Sequence, residues 1–328
     1  VTTTVTTTVP TPAPPARRAG LRDRARDASK ALIPRVNRLT ERLGVRVQPV
    51  HYYSEVPDRR ALRRDRGWAR RIDVSGHGWD LDAQLAWLGE VCGPYVPEVA
   101  GLDAWRDLGS DRGPGYGPVE SQVLHGVVRS LAPARILEVG SGVSTVIARG
   151  AADRNVAEGR RPTAITCIEP FPRDALRALA GVHVVADRAQ DADRAHFDAL
   201  GAGDVLFIDS THALRTGSEL ARLYLEILPR LAEGVVVHIH DVYLPYLHTP
   251  DVLDNVFDWQ ETTLLAALLT DNPRLRVLAC ESVLHHDRPE ALAGVLPDYR
   301  PRRMHDGLYT DGSADHFPSS IWLTRVGP

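Results

Sequence analysis

Beyond residue 134 the chain alternates short apolar runs with longer helix-like stretches. The runs are Arg135 to Val139, Ala164 to Glu169, Val182 to Asp187, Asp204 to Asp209, Val235 to Asp241, Arg276 to Cys280 and Ser320 to Thr324. Strand-length runs separated by helix-length spacers predict an α/β fold, a doubly wound and mostly parallel seven-stranded sheet. Four of the runs close on an acid, at Glu169, Asp187, Asp209 and Asp241, and Glu138 lies inside the first. Open sheets of this class bind ligands outside the carboxyl ends of their strands, so these acids are expected to converge on one crevice.

The first run turns sharply at Glu138-Val139-Gly140-Ser141-Gly142 and leads into a helix through Val143, Ser144 and Thr145. Gly140 and Gly142 allow backbone to approach a ligand where a side chain would collide. The helix start adds unpaired N–H groups. Strand-to-helix turns of this kind bind nucleotide-like ligands.

With Glu169 closing the second strand and Gly203-Asp204-Val205-Leu206-Phe207-Ile208-Asp209 forming the fourth, residues 116 to 328 resemble a class I S-adenosylmethionine-dependent methyltransferase with a Rossmann-like sheet. Asp209-Ser210-Thr211-His212 and His240-Asp241 resemble, within that superfamily, the metal-dependent sugar O-methyltransferases of macrolide biosynthesis and their bacterial relatives. The resemblance implies that Glu138, Gly140, Ser141, Gly142 and Ser144 form the loop under the methionine part of S-adenosylmethionine. It implies that Glu169 accepts from both ribose hydroxyls, a task suited to an acceptor-only carboxylate. Asp187 and Gln190 are expected near the adenine, Tyr116 and Glu120 on the cofactor side, and Asp209 at the sulfonium end.

A nicotinamide dinucleotide is the competing cofactor, and an oxidoreductase the competing enzyme. Its Gly-x-Gly-x-x-Gly fingerprint fails at Thr145, and Glu138 sits two residues before the first glycine. An acidic pocket tolerates a sulfonium and repels a pyrophosphate. A third reading keeps the fold as a non-catalytic binding module.

Methyl transfer needs a base for the acceptor proton. The only lysine is Lys30, remote from the core, so His212 is the candidate. Asp209 and Asp241, with His240, could hold a divalent cation that lowers the acceptor's pKa. Oxygen ligands suit Mg2+ or Ca2+, whereas the imidazole of His240, at a position often acidic in the family, shifts preference toward Mn2+ or Fe2+. Alternation along the strand points His238 and His240 to one face and Asp241 to the other, so the three converge only if the strand breaks at its end. Asp209, His212 and His240 also have the composition of a two-histidine, one-carboxylate iron centre.

Composition narrows the setting. Cys92, Cys167 and Cys280 have no paired or zinc-like spacing, which fits a reducing cytoplasm. No apolar run reaches membrane-spanning length. Residues 1–20 are threonine- and proline-rich and are expected to be a disordered tail. Residues 21–115 are expected to form a basic, mainly helical arm and cap before the catalytic domain at 116–328. Residues 1–75 hold 17 basic and 7 acidic residues against 22 and 35 in the remainder, a split that raises a nucleic-acid reading. Leu32, Val36, Leu39 and Leu43 at helical spacing, with interleaved acids, favour instead an arm that docks on its own acidic domain or a partner subunit's.

Segments His51 to Asp58 and Gly76-His77-Gly78-Trp79 could cap an acceptor site, and Tyr243-Leu244-Pro245-Tyr246 is expected as a loop over the crevice. Leu264 to Leu268 reads as core helix, and His285-His286 and His305 as loop residues without chemistry. The expected protein is a cytoplasmic methyltransferase of specialised metabolism, acting on a hydroxyl or amine of a polar small molecule and free of nucleic acid and membrane.

Overall fold

The structure, a computed structural model, describes residues 32–50, 52–74, 79–99, 115–297, 299–310 and 317–327. The expected disordered tail at 1–20, His51 and Gly76-His77-Gly78 lie outside the described residues. The chain divides into two compact units at Arg64 and Asp65.

The first unit is helical where its apolar spacing predicts. Residues 32–40 form a helix that tightens into a 3-10 turn, Glu41–Leu43. Gly44 closes the turn at φ 70°, where its N–H reaches the Glu41 carbonyl at 3.0 Å. The Asn37 amide then pins the following segment through paired bonds with the Val47 backbone, 2.8 and 3.0 Å. A short helix, Arg59–Arg64, follows, its start held by the Asp58 carboxylate on the Arg60 N–H at 2.9 Å.

The second unit contains every predicted strand. In chain order it holds α1 (Leu81–Cys92), α2 (Pro118–Leu131), β1 (Arg135–Val139), α3 (Val143–Ala157), β2 (Ala164–Ile168), β3 (Val182–Val185) and β4 (Val205–Ile208). There follow α4 (Glu219–Arg222), continued by a π-helical turn at Leu223–Ile227, and β5 (Val236–His240), α5 (Glu261–Leu269), β6 (Leu275–Cys280) and α6 (Glu281–Asp287). A two-residue hairpin, β7 (Met304–His305) and β8 (Leu308–Tyr309), precedes β9 (Ser320–Arg325). His285 and His286 are thus helical, on α6, and not in a loop. His285 is buried with its Nδ1 against the Tyr299 hydroxyl at 2.5 Å, an apolar packing environment that the polar flanking sequence conceals.

The sheet order is β3-β2-β1-β4-β5-β9-β6, with β9 antiparallel between β5 and β6. This order departs from the 3-2-1-4-5-6 arrangement of dinucleotide-binding sheets by that inserted strand. Both faces are covered. Ile136, Cys167, Phe207 and Trp322 pack under α1, α2 and α3, while Leu137, Ile168, Ile208, Val237 and Leu323 pack under α4, its π turn and α5. The period of two along each strand sorts the side chains to these layers, which is why the strands read as continuous apolar runs.

The order of the strands reverses between the parallel neighbours β1 and β4, the switch point where such sheets open a crevice. Gly140, at φ 91°, lies so close to β4 that a Cβ there would stand 1.9 Å from the Asp209 carbonyl oxygen. At Gly142 an added Cβ meets nothing within 4 Å. Gly140→Ala should therefore destabilise the domain by about 3 kcal/mol or more, through both clash and backbone strain, while Gly142→Ala costs under about 1 kcal/mol. Urea denaturation midpoints of the two variants measure the contrast, and equal midpoints would contradict the close approach.

Candidate active site

Two groups of side chains meet at the carboxyl ends of β1, β2, β4 and β5. The first surrounds the β1–α3 turn. A cavity of about 330 Å³ opens there, lined by Tyr116, Ser141, Gly142, Ser144, Glu169 and Asp209 among others. Its size suits a small molecule. Ser141 Oγ donates to Glu169 Oε2 at 3.2 Å and the Phe171 N–H to Glu169 Oε1 at 2.8 Å, so the carboxylate is oriented at the cavity wall. Phe171 stands on the rim, 85% exposed, with its ring open to whatever enters.

Glu138 has a different position from its neighbours in sequence. It is buried beneath the turn, where Ser144 Oγ donates to Oε1 at 2.5 Å and Thr145 Oγ1 and Cys167 Sγ to Oε2 at 2.6 and 3.1 Å. Burial raises its pKa to about 7, against the opposing effect of those three donors. Glu138 therefore ties β1 to α3 and β2 and shapes the cavity from below. Asp187 is exposed past the end of β3, its Oδ1 accepting from the Arg188 N–H at 3.0 Å, and stands outside the cavity lining, as does Gln190.

The second group lies where β4 and β5 end. Asp241 has φ 55° and His212 φ 56°, left-handed conformations uncommon for residues with side chains. The break at Asp241 is the condition that alternation demanded. β5 stops at His240, and the turn brings the Asp241 carboxylate back beside His240 Nδ1, 3.6 Å away. Asp209, His240 and Asp241 consequently offer ligand atoms all within 4.8 Å of one another. Tyr243 Oη and Ser319 Oγ hold Asp241 Oδ1 at 2.7 and 3.2 Å, so the loop after β5 and the start of β9 both fix this carboxylate.

His212 closes the group. Its Nε2 is 3.3 Å from Asp209 Oδ1 and 3.3 Å from Asp241 Oδ2, and its Nδ1 is 2.7 Å from Glu261 Oε2. Glu261 opens α5, and its second oxygen accepts from Tyr224 Oη at 2.9 Å. The Gln260 and Glu261 N–H groups return to the His212 carbonyl at 2.9 and 3.2 Å, so ring and backbone are both held by α5. Trp259 covers the ring, centroids 4.7 Å apart. Nothing in the sequence singled out Glu261, because an acid in the first turn of a helix is ordinary. Its signal is burial, at 1% exposure, which only the structure reveals.

Charge explains the balance of this cluster. Burial alone would raise the pKa of Asp209, but the imidazoles of His240 and His212 outweigh it and hold the carboxyl well below its usual range. Burial would lower His212, and the facing Asp209, Glu261 and Asp241 carboxylates push it well above the ordinary imidazole value. His240 rises to about 9 in the same way, burial being offset by Asp241 and Asp209. Neighbouring His238 shows the contrast. It is fully buried, stacked on Phe207 at 4.2 Å with both ring nitrogens lacking a hydrogen-bond partner, and desolvation holds it neutral. Tyr116 packs on His240 with centroids 4.9 Å apart, while Glu120 sits behind the cluster, accepting from the Ser319 N–H at 2.8 Å.

A larger hollow, about 840 Å³, lies beside the edge strand β6 against Trp79, Trp87 and Arg276. None of the acidic strand ends lines it. Among the described residues no helix is long and apolar enough to cross a membrane.

Residues 137–242, spanning the β1–α3 turn through Asp241, match a family model described as a methyltransferase domain. Over that span the chain is similar to a methyltransferase domain. Solved structures give looser likenesses. An O-methyltransferase from Bacillus cereus in complex with S-adenosylhomocysteine is 16% identical over 71% of this chain and 91% of its own, with a TM-score of 0.39. A Plasmodium falciparum protein assigned as a protein-L-isoaspartate O-methyltransferase is 16% identical over 56% of this chain and 81% of its own, TM-score 0.27. A protein from Thermobifida fusca assigned as a methyltransferase is 10% identical over 80% and 97%, TM-score 0.32. Among curated proteins none matches the chain.

The histidine–carboxylate cluster has a pH signature. Because the His240 pKa in the folded chain, about 9, lies above the ordinary 6.5, the folded state holds that proton more tightly than the unfolded. Its stabilisation is complete below pH 6.5 and is lost as pH rises through about 9. Unfolding free energy should fall by about 3 kcal/mol across that window. The fall should be smaller in His240→Gln, as followed by denaturation at a series of pH values; identical profiles would remove His240 as its source.

Proposed function

We propose that this methyltransferase transfers the methyl group of S-adenosylmethionine to a hydroxyl of a polar small molecule, a sugar or related metabolite, with His212 as general base. One observation carries the reading: His212 Nε2 faces the partly exposed Asp209 and Asp241 at the crevice while Nδ1 is fixed by the buried Glu261. A histidine oriented through one nitrogen by a carboxylate, with the other nitrogen toward a ligand crevice, is arranged to accept a proton once the positive charge of the sulfonium beside Asp209 offsets the carboxylates that otherwise favour its protonated form.

The cofactor's methionine portion would lie over Gly140, Ser141 and Gly142, against the N-terminus of α3 and Ser144, with Glu138 supporting the turn from beneath. Glu169 would take the two ribose hydroxyls, being acceptor-only and already oriented by Ser141 and the Phe171 N–H. The Phe171 ring offers a flat apolar face to the adenine. Asp209, common to the cavity and the histidine cluster, would stand near the sulfonium, where opposite charge favours binding. The acceptor oxygen attacks the methyl carbon as the carbon–sulfur bond breaks, the bonding pair leaves with sulfur as neutral S-adenosylhomocysteine, and the acceptor proton passes to His212 Nε2. Glu261 accepts from Nδ1–H and stabilises the imidazolium formed.

The donor set fits a dication. His240 is 2% exposed, and neither ring nitrogen has a hydrogen-bond partner although Nδ1 faces both carboxylates. Asp209, His240 and Asp241 would hold the ion, which when bound would polarise an acceptor oxygen and offset the carboxylate charge facing His212.

Two measurements test the reading. Glu169→Ala should weaken S-adenosylhomocysteine binding about tenfold to a hundredfold by calorimetry, the worth of charged hydrogen bonds; wild-type affinity in that variant would remove Glu169 from the cofactor site. His212→Ala should lower turnover about a hundredfold to ten-thousandfold at near-constant S-adenosylhomocysteine affinity. Turnover at the wild-type rate would eliminate His212 as base.

A further inference from the structure

The two carboxylate oxygens of the cluster are flanked by imidazole on both sides. Asp209 Oδ1 is 3.3 Å from His212 Nε2 and 3.5 Å from His240 Nδ1, and Asp241 Oδ2 is 3.3 and 3.6 Å from the same two nitrogens. The four atoms form a closed ring of alternating oxygen and nitrogen. Ligand atoms at neighbouring positions around a cation with bonds of about 2.1 Å lie about 3.0 to 3.4 Å apart, close to the observed spacings. Two nitrogens and two oxygens are a poor set for Mg2+, which prefers oxygen and keeps its waters, and a good one for borderline dications that accept imidazole.

We propose that His212 is a fourth ligand for an imidazole-accepting dication of the zinc type, and that such an ion switches the methyltransferase off by occupying the nitrogen that must take the acceptor proton. The proposal rests on the reading of His212 as base. A hard cation held mainly by Asp209 and Asp241 leaves Nε2 free, whereas Zn2+ draws it into the ring through a lone pair that can bind one partner at a time. Cation identity, rather than occupancy alone, then decides whether the site is active. Two features supply the means. His240 is closed from solvent with its Nδ1 facing both carboxylates and making no hydrogen bond, and Glu261 holds the far side of the His212 ring so that Nε2 is already aimed inward. The same second contact that orients a base also orients a metal-binding histidine.

The test is X-ray absorption at the zinc edge of the full chain loaded with one equivalent of Zn2+, with calorimetric Zn2+ affinities of wild type and His212→Gln. Two imidazoles per zinc and an affinity at least tenfold lower in His212→Gln are expected. One imidazole, or equal affinities, overturns the proposal, and the wild-type spectrum alone decides if the variant does not fold. Saturating Zn2+ should also abolish turnover measured in Mg2+, and undiminished turnover overturns the switch. S-adenosylhomocysteine titration of the zinc-free protein separates the outcomes, because loss of that binding strikes the methyltransferase reading whereas its retention beside a one-imidazole spectrum strikes only the zinc switch.

Discussion

Two carboxylates at the ends of adjacent strands repel one another, and this site keeps them together by setting positive charge on either side. Asp209 and Asp241 face one imidazole from the loop after β4 and another from the last residue of β5. Each half of the arrangement requires the other. With no other cation at the site, the carboxylates favour the protonated form of two buried histidines, and the histidines keep Asp209 ionised in surroundings that would otherwise neutralise it. Such reciprocal compensation is the condition under which buried charge is tolerated, and removing one member leaves the others exposed to the full cost of burial.

The sheet supplies the positions for this balance. The helices that follow β1 and β4 run to opposite faces of the sheet at the switch point, and the glycine after β1 lets the Asp209 backbone come close enough for one crevice to serve both the glycine turn and the histidine cluster. Asp209 belongs to both. It lines the cavity beside Glu169 and also touches both imidazoles, so the glycine-turn cavity and the histidine cluster meet on one side chain. His212 and Asp241 reach their places only through left-handed backbone, a local strain of the kind that concentrates at functional sites.

The central strands β1, β4, β5 and β9 were legible because they are buried nearly throughout and read as apolar runs, and Glu169, Asp209 and Asp241 marked the crevice because they interrupt such runs. The partners of those acids were harder to read. Glu261 contacts His212 across 49 positions of sequence, and Ser319 contacts Asp241 across 78, so neither pairing leaves a local pattern. Glu138 looked like a cavity-facing acid because it adjoins the glycines, yet strand alternation sends it under α3, where hydroxyls and a thiol engage it. His285 was misread for the opposite reason, since two adjacent histidines suggest solvent while α6 turns the first into the core.

The placement of β9 has a consequence for how the molecule comes into being. Among the described residues it follows every other strand, yet it lies between β5 and β6 and is the only strand paired with β6. The residue just before it also completes the histidine–carboxylate cluster, since the Ser319 hydroxyl steadies Asp241 and the Ser319 N–H reaches Glu120. A nascent polypeptide emerging from the ribosome can assemble β1 to β5 as they appear, but β6 has no neighbour until β9 arrives. Such late, long-range pairing is a slow event in folding. The histidine–carboxylate cluster is therefore finished only after β9 has been made, and a chain stalled before that point would carry its acids and histidines without the clamp that sets them.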